Sequence, residues 1–174
     1  SPDKNFITYD QKYWWSDEWD PISYGKDYDF SKSFFQQFKE FRDNFPLITI
    51  NNSEAINSEF CNVAGKSKDC YLISAAQKNE GVLYSNRVYI NKDSMDLYIT
   101  FKNEVCYENI GCKACFKVLF SLNTYDCLDS YFLYDCRNCN NCFGCTNLRN
   151  KQYYIFNQPY SKEDYQEKII EFDL

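Results

Sequence analysis

Short runs of β-prone residues, separated by polar breaks, fill the middle of the chain between residues 47 and 157. The breaks are rich in Asn, Asp and Ser, which favour tight turns. A unit made of a polar pair, then a Cys or small apolar residue, then Tyr or Phe recurs about every 20 residues, a spacing typical of solenoids. The pattern predicts a mainly β, single-domain parallel β-helix (β-solenoid). A β-sandwich is the alternative, because strand spacing alone does not exclude it.

Helical patterns flank this region on both sides. Near the N-terminus, a helix capped by Asp29 or Ser31 and ending near Asn44 would carry a stripe of phenylalanines, namely Phe34, Phe35, Phe38 and Phe41. Such a stripe is typical of core packing, and we interpret this helix as a lid.

At the other end, Ser161 begins a capping signature that predicts a helix through Phe172, with Tyr165, Ile169 and Phe172 facing inward. Because solenoids need their ends covered, both helices are predicted to be caps. The predicted organisation is therefore an aromatic-rich segment and capping helix (1–46), a solenoid with cysteine-rich C-terminal coils (47–157), and a C-terminal capping helix (158–174).

Cysteines at Cys-x2-Cys spacing are the clearest chemical feature. The chain has ten cysteines and no histidine, so a zinc site would need four cysteines, or cysteines with a carboxylate. The candidate metal ligands are Cys112, Cys115, Cys136, Cys139, Cys142 and Cys145. One possible zinc site uses two Cys-x2-Cys pairs, Cys112 with Cys115 and Cys136 with Cys139, whose separation matches that of paired zinc knuckles. The other possible site uses the four consecutive cysteines from Cys136 to Cys145. Zinc is thus the one cofactor that the sequence indicates.

Two other interpretations of the cysteines stay open. They could be reduced thiols packed inside the solenoid, where small, weakly polar Cys behaves like Val or Ala. They could also serve thiol redox chemistry, since Arg137 and Arg149 could lower a nearby thiol pKa. An iron–sulfur cluster fits less well, because the run lacks the expected Cys-x3-Cys-Pro ending.

The N-terminal region combines three tryptophans with acids. Trp14, Trp15 and Trp19 fall within six residues, and they predict either an aromatic clasp over the core or an exposed binding surface. A carboxylate-based, carbohydrate-active enzyme would need two facing carboxyls. The candidates are Asp17, Glu18, Asp20 and Asp96. The absence of histidine removes the commonest general base, so we find no catalytic constellation.

The net charge and the hydropathy of the chain restrict the classes of binding partner and the cellular location that we expect. The formal net charge of −6 argues against a dedicated nucleic-acid binder, which needs a basic surface. No apolar run approaches the roughly 18–20 residues that span a bilayer. The absence of a signal sequence favours the cytoplasm. A protein partner is expected, and the oligomeric state is left open.

The two ends of the chain resemble a family of uncharacterised, cysteine-rich proteins from small-genome, candidate-phylum bacteria. The resemblance rests on Ser1-Pro-Asp-Lys4, on the aromatic and acidic run 13–21, on 24–31, on 34–40 and on the closing stretch 141–157. It implies that a zinc-ribbon-like segment with its own Cys pairs precedes Ser1 in such proteins. It implies no activity. The sequence thus favours a non-enzymatic solenoid scaffold that binds another protein.

Overall fold

The computed structural model describes residues 6–172, so the motif at residues 1–4 lies outside the described residues. The chain forms two compact units, which divide between Asn51 and Asn52. The second unit is a parallel β-solenoid, which confirms the predicted fold class. The division comes five residues after the predicted boundary at residue 46.

The first unit contains short elements joined by turns. Strand β1 (Thr8–Tyr9) pairs in parallel with β2 (Leu47–Ile48). Between them lie α1 (Gln11–Trp14), a 3-10 helix (Pro21–Tyr24) and α2 (Phe34–Asn44).

The helix α2 begins later than predicted and does not bury its phenylalanines. Its N-cap is Ser33, whose side chain accepts from the Gln36 amide, rather than Asp29 or Ser31. Asp29 instead accepts from both the amide and the hydroxyl of Ser31, which forms a turn before the helix. The buried residue of α2 is Gln37, and Phe35 is 81% exposed. The phenylalanine stripe is therefore a surface feature in this structure. Its predicted role as a lid stays a prediction.

The solenoid is built from strands that pair in parallel. They are β3 (Asn62–Gly65), β4 (Ser74–Gln77), β5 (Glu80–Leu83), β6 (Asn86–Tyr89), β7 (Lys92–Phe101), β8 (Tyr107–Ile110), β9 (Phe116–Leu122), β10 (Leu128–Tyr131), β11 (Asn140–Phe143) and β12 (Gln152–Ile155). A final short strand, β13 (Gln158–Pro159), pairs antiparallel with β12. The best strand predicted from the sequence, 151–157, contains β12.

The coil of this solenoid is twelve residues long. Each strand residue pairs with the residue twelve positions further on, as Asn62 does with Ser74 and Asn86 with Tyr98. Every third residue from Glu54 to Phe156 has a φ between 42° and 65°, which turns the chain at a corner. Four corners divide each coil into four short sides. The predicted repeat of about 20 residues is therefore wrong.

The residue after each corner points into the interior, and hydrogen bonds explain which residues occupy these positions. Asn91 is an example, because its Oδ1 accepts from the Asn103 amide of the next coil at 2.9 Å. Ser85 accepts from the Leu97 amide in the same way at 3.0 Å. An inward amide that found no acceptor would cost about 1–3 kcal/mol. The interior therefore mixes Asn, Ser and Cys with Val, Leu and Ile.

The C-terminal helix α3 (Lys162–Glu171) has its predicted N-cap, since Ser161 Oγ accepts from the Asp164 amide at 3.0 Å. Tyr165 is buried against Phe143 and Ile155. These two residues point outward from successive coils, so α3 packs on the side of the last coils.

Candidate functional site

All ten cysteines occupy inward positions, and each is at most 2% exposed. Their thiols form the same two kinds of bond that serine forms elsewhere in the interior. Cys106 Sγ donates to the Glu104 carbonyl in its own coil and accepts from the Val118 amide in the next coil. Ser94 Oγ donates to the Lys92 carbonyl and accepts from the Cys106 amide. The cysteines are thus part of the hydrogen-bonded core.

The structure does not bring together the first predicted zinc set. Cys112 and Cys115 lie on adjacent sides of one coil, and Cys136 and Cys139 lie two coils further on. Thr124 and Cys127 occupy the corresponding positions in the coil between them. Two steps between coils span about 9–10 Å, whereas two ligands of one zinc ion, each about 2.3 Å from the metal, lie within about 4.6 Å of each other. These four thiols therefore cannot share a zinc ion in this fold.

The second set does come together, because it supplies all four inward side chains of a single coil, Cys136, Cys139, Cys142 and Cys145. Cys139 accepts hydrogen bonds from the thiols of Cys127, Cys136 and Cys142, which lowers its pKa.

The arrangement of these thiols gives no support to a zinc site. Each lies against a backbone carbonyl of its own coil, as Cys139 Sγ does against the Arg137 carbonyl and Cys145 Sγ against the Phe143 carbonyl, both at 3.3 Å. Within residues 6–172, no group of three or more metal-ligating side chains is arranged to hold a metal ion. Zinc binding stays an untested prediction.

A thiol count separates core cysteines from a zinc site. Since every thiol is buried, we expect all ten to resist a thiol reagent in the native protein purified without added metal, and all ten to react after unfolding. A chelator should change neither result. About one zinc per chain, with four thiols that become reactive only after chelation, would contradict this account.

Alkaline pH should destabilise the fold through these buried thiols. Burial raises the pKa of Cys106 from 9.0 to about 11, so the folded state keeps a proton that the unfolded state releases. Below pH 9 the neutral Cys106 thiol makes its full contribution to the free energy of unfolding, and this contribution is lost as the pH rises through 11. For Cys106 the loss by pH 11 is about 2 kcal/mol.

The matched variant is Cys106→Ser, which keeps both hydrogen bonds and does not titrate. We expect urea denaturation to show a smaller loss between pH 9 and 11 for this variant than for the wild type. Equal losses for the two proteins would show that Cys106 ionises freely in the folded state.

The predicted tryptophan surface is only partly available for binding. Trp14 and Trp19 pack together with rings 4.9 Å apart, and Trp19 Nε1 donates to the Trp14 carbonyl at 3.0 Å. Trp19 also contacts Tyr9. Trp15 alone is strongly exposed, at 68%. Trp14 and Trp19 therefore belong to an aromatic cluster within the first unit, and a binding surface there would rest on Trp15; both the clasp and the binding surface stay predictions.

The candidate carboxylates show no catalytic pair. Asp20 caps the 3-10 helix by accepting from the Ile22 amide at 2.9 Å, and Asp17 and Glu18 are exposed beside it. Asp96 is an exposed corner residue of the solenoid, in the other unit.

One side of the solenoid is apolar along almost its whole length, and sequence reasoning missed it. We call this side the apolar face. Its outward residues pair from coil to coil in one column, Tyr71, Leu83, Met95, Tyr107, Leu119, Tyr131, Phe143 and Ile155. The corners beside it add apolar residues, and Leu72 and Tyr84 are 46% and 51% exposed. The column appears only once the twelve-residue period is known.

The helix α3 covers the C-terminal end of the apolar face. Tyr165 packs with Phe143, Ile155 and Tyr131 of the column, and the Phe172 ring stacks on Phe143 with centroids 4.4 Å apart. From Tyr71 to Leu119 the outward residues are only half-buried.

A cavity of about 330 Å³ opens in the uncovered part of the apolar face. Leu83, Met95, Tyr107 and Leu119 line it, with Val105 at the adjoining corner. Gly81 provides space there, because a Cβ at this corner would lie 2.7 Å from Asp93 Oδ1. The cavity is open and mainly apolar, so it suits an apolar group.

The fold and this surface together define a β-solenoid of twelve-residue coils with one apolar side. No protein-family model matches the sequence, and a search of curated proteins finds no match. Among solved structures, the chain is similar to a Bacillus cereus protein described as a candidate acetyltransferase. The two are 10% identical, with 71% of this chain and 92% of that chain covered and a TM-score of 0.20. A similarity at this level supports no argument about activity.

The helices of the described residues are short, with at most eleven residues. Within residues 6–172, none combines the length and the apolar character that crossing a bilayer requires.

Proposed function

We propose that this protein is a non-enzymatic interaction scaffold whose apolar face binds an amphipathic helix of a partner protein. The observation that carries this proposal is the position of α3. This helix already covers the C-terminal end of the apolar face through Tyr165 and Phe172, and the same column continues uncovered from Tyr71 to Leu119.

The dimensions of the uncovered part suit a helix. Four steps between coils separate Tyr71 from Leu119, which is about 19 Å at the usual spacing of parallel strands. A helix of about 13 residues has this length. Side chains at i, i+3, i+4 and i+7 of an amphipathic helix present one apolar stripe, the usual way that a helix occupies an apolar groove. The cavity beside Met95 would receive one of these side chains.

The exposure of the apolar face also supports binding. Monomeric proteins rarely expose large contiguous apolar patches unless these are interaction sites. Aromatic contacts between coils, such as those of Phe60 with Tyr71 and of Tyr71 with Tyr84, hold the side chains in place. A prearranged surface loses little side-chain entropy on binding.

The experiment uses a labelled helical peptide that copies the apolar stripe of α3, with Tyr, Ile and Phe at the spacing of Tyr165, Ile169 and Phe172. Fluorescence anisotropy should show saturable binding to the wild-type chain, with a dissociation constant in the micromolar range. Analytical ultracentrifugation of the chain alone should show a monomer.

Two results would contradict the proposal. One is the absence of saturable binding at millimolar protein. The other is a concentration-dependent dimer that the peptide dissociates, since the occupant of the apolar face would then be a second copy of this chain.

A further inference from the structure

The side of the solenoid opposite the apolar face carries cations that have no carboxylate partner among residues 6–172. In a four-sided coil the opposite side begins six residues further along, so Met95 on the apolar face corresponds to Phe101. The outward residues of this side pair from coil to coil in the column Tyr89, Phe101, Lys113, Tyr125, Arg137 and Arg149. We call this side the basic face, and it includes the corner residues Lys78 and Lys102.

Four of its cations form no ion pair within the described part of the chain. Among the described residues, Lys78, Lys102, Lys113 and Arg137 have no carboxylate oxygen within 4.0 Å, whereas Arg149 pairs with Asp135 at 3.0 Å. All four are exposed. The corner residue Asp126 adds one carboxylate to this side, so the four cations outnumber it.

The free cations lie over aromatic rings instead. Lys78 lies 5.8 Å from the centre of the Tyr89 ring, and Arg137 lies 5.0 Å from that of Tyr125. Lys102 and Lys113 both lie over Phe101. A cation over a ring at an exposed site gains about 0.5–1 kcal/mol. The rings thus hold the cations in a row while their charge stays available.

The row has a defined length because coils are evenly spaced. From Lys78 to Arg137 there are five coils, which corresponds to about 24 Å along the solenoid axis. This row occurs on a protein whose net charge is −6. It is therefore a local charge pattern on an otherwise acidic molecule, the arrangement that attracts a linear anionic partner.

We infer that the basic face binds an acidic peptide segment of a partner protein, laid along the solenoid axis, with carboxylates paired to Lys78, Lys102, Lys113 and Arg137. An acidic peptide fits better than a single-stranded nucleic acid, which also needs free ring faces for its bases. The rings of Tyr89 and Phe101 stack on each other with centroids 5.0 Å apart. Their other neighbours are the cations, so the face offers charge rather than stacking surface.

The test titrates wild-type protein with a labelled twelve-residue peptide of alternating Glu and Ser, and in parallel with a labelled twelve-nucleotide oligothymidine. At 50 mM salt the peptide should bind saturably, and 300 mM salt should weaken it several-fold, as expected for exposed charges. The double variant Lys102→Glu with Lys113→Glu should bind the peptide at least tenfold more weakly. Circular dichroism of each variant checks that it is folded.

The matched control carries Leu83→Glu and Met95→Glu on the apolar face and should bind the acidic peptide as the wild type does. This control also separates the two proposals, because each surface is then tested independently of the other. The inference is overturned if the Lys102→Glu, Lys113→Glu variant binds the peptide as well as the wild type, or if no saturable binding occurs at 50 mM salt. Tighter, lysine-dependent binding of oligothymidine would assign the face to nucleic acid instead.

Discussion

Replacing Asn91 with leucine is expected to lower the free energy of unfolding by about 2 kcal/mol, because the buried Asn103 amide loses its acceptor. Asn91 is 2% exposed. Its Oδ1 accepts from the Asn103 amide and its Nδ2 donates to the Thr100 carbonyl of the next coil. Leucine keeps the branched shape with four side-chain heavy atoms and makes neither bond, so the change mainly tests the hydrogen bonds.

The matched control is Asn91→Ser. Serine accepts an amide of the next coil at equivalent positions, as Ser85 and Ser94 do for Leu97 and Cys106, so most of the loss should be avoided apart from a small cavity. Urea denaturation monitored by circular dichroism measures both variants. A leucine variant as stable as the wild type would show that the inward amides find other acceptors.

Placing two negative charges on the uncovered apolar face should remove helix binding without unfolding the chain. The double variant Leu83→Glu with Met95→Glu is expected to bind the α3-like peptide at least about tenfold more weakly, since an unpaired charge is costly to bury in an apolar contact. Both residues point outward and are half-buried, so the folded solenoid can keep the glutamates in water.

The control variant carries the same charge on the adjacent side. Tyr98→Glu with Ile110→Glu changes two outward residues that pair with each other across coils and are 43% and 49% exposed. Anisotropy titrations should show wild-type affinity for this control. Equal weakening by the two variants would mean that net charge, rather than the apolar face, controls binding.

The sequence predicts the class of fold because short strands and polar breaks are local features. It also predicts α3, since the capping signature at Ser161 is local. The repeat length was missed because turn-forming residues mark fewer than half of the corners: 15 of the 35 corners from Glu54 to Phe156 are Asn, Asp or Gly. Among these corners, three are glycines, namely Gly81, Gly111 and Gly144. Other corners are occupied by β-branched residues such as Ile99 and Val105, for which a positive φ is unfavourable.

The spacing of the cysteines contains the signal for the coil geometry that the sequence analysis did not use. The intervals between successive cysteines are all multiples of three, which is the spacing of inward positions in this coil. The Cys-x2-Cys pairs that indicate zinc in other folds here mark adjacent sides of one coil. Spacing alone cannot distinguish the two, because a zinc knuckle and a three-residue side place cysteines at the same separation in sequence.

The candidate surfaces could not be predicted, because each is a column of residues twelve positions apart. Leu83 and Met95 are neighbours in space but are separated in sequence by residues of the three other sides. The exposure of the phenylalanine stripe of α2 could not be predicted either, but for a different reason. Its periodicity correctly predicted a helix, but periodicity does not show what covers an apolar stripe, and Phe34 and Phe38 remain about half exposed.

The measurement that tests the central claim most directly is an NMR titration of the wild-type chain with the α3-like peptide. The account predicts that saturable shift changes are confined to the column from Tyr71 to Leu119 and its corners, while the column of Lys113 and Tyr125 on the opposite side is unaffected. Changes centred on another side of the solenoid, or none at saturating peptide, would contradict the apolar face as the docking surface.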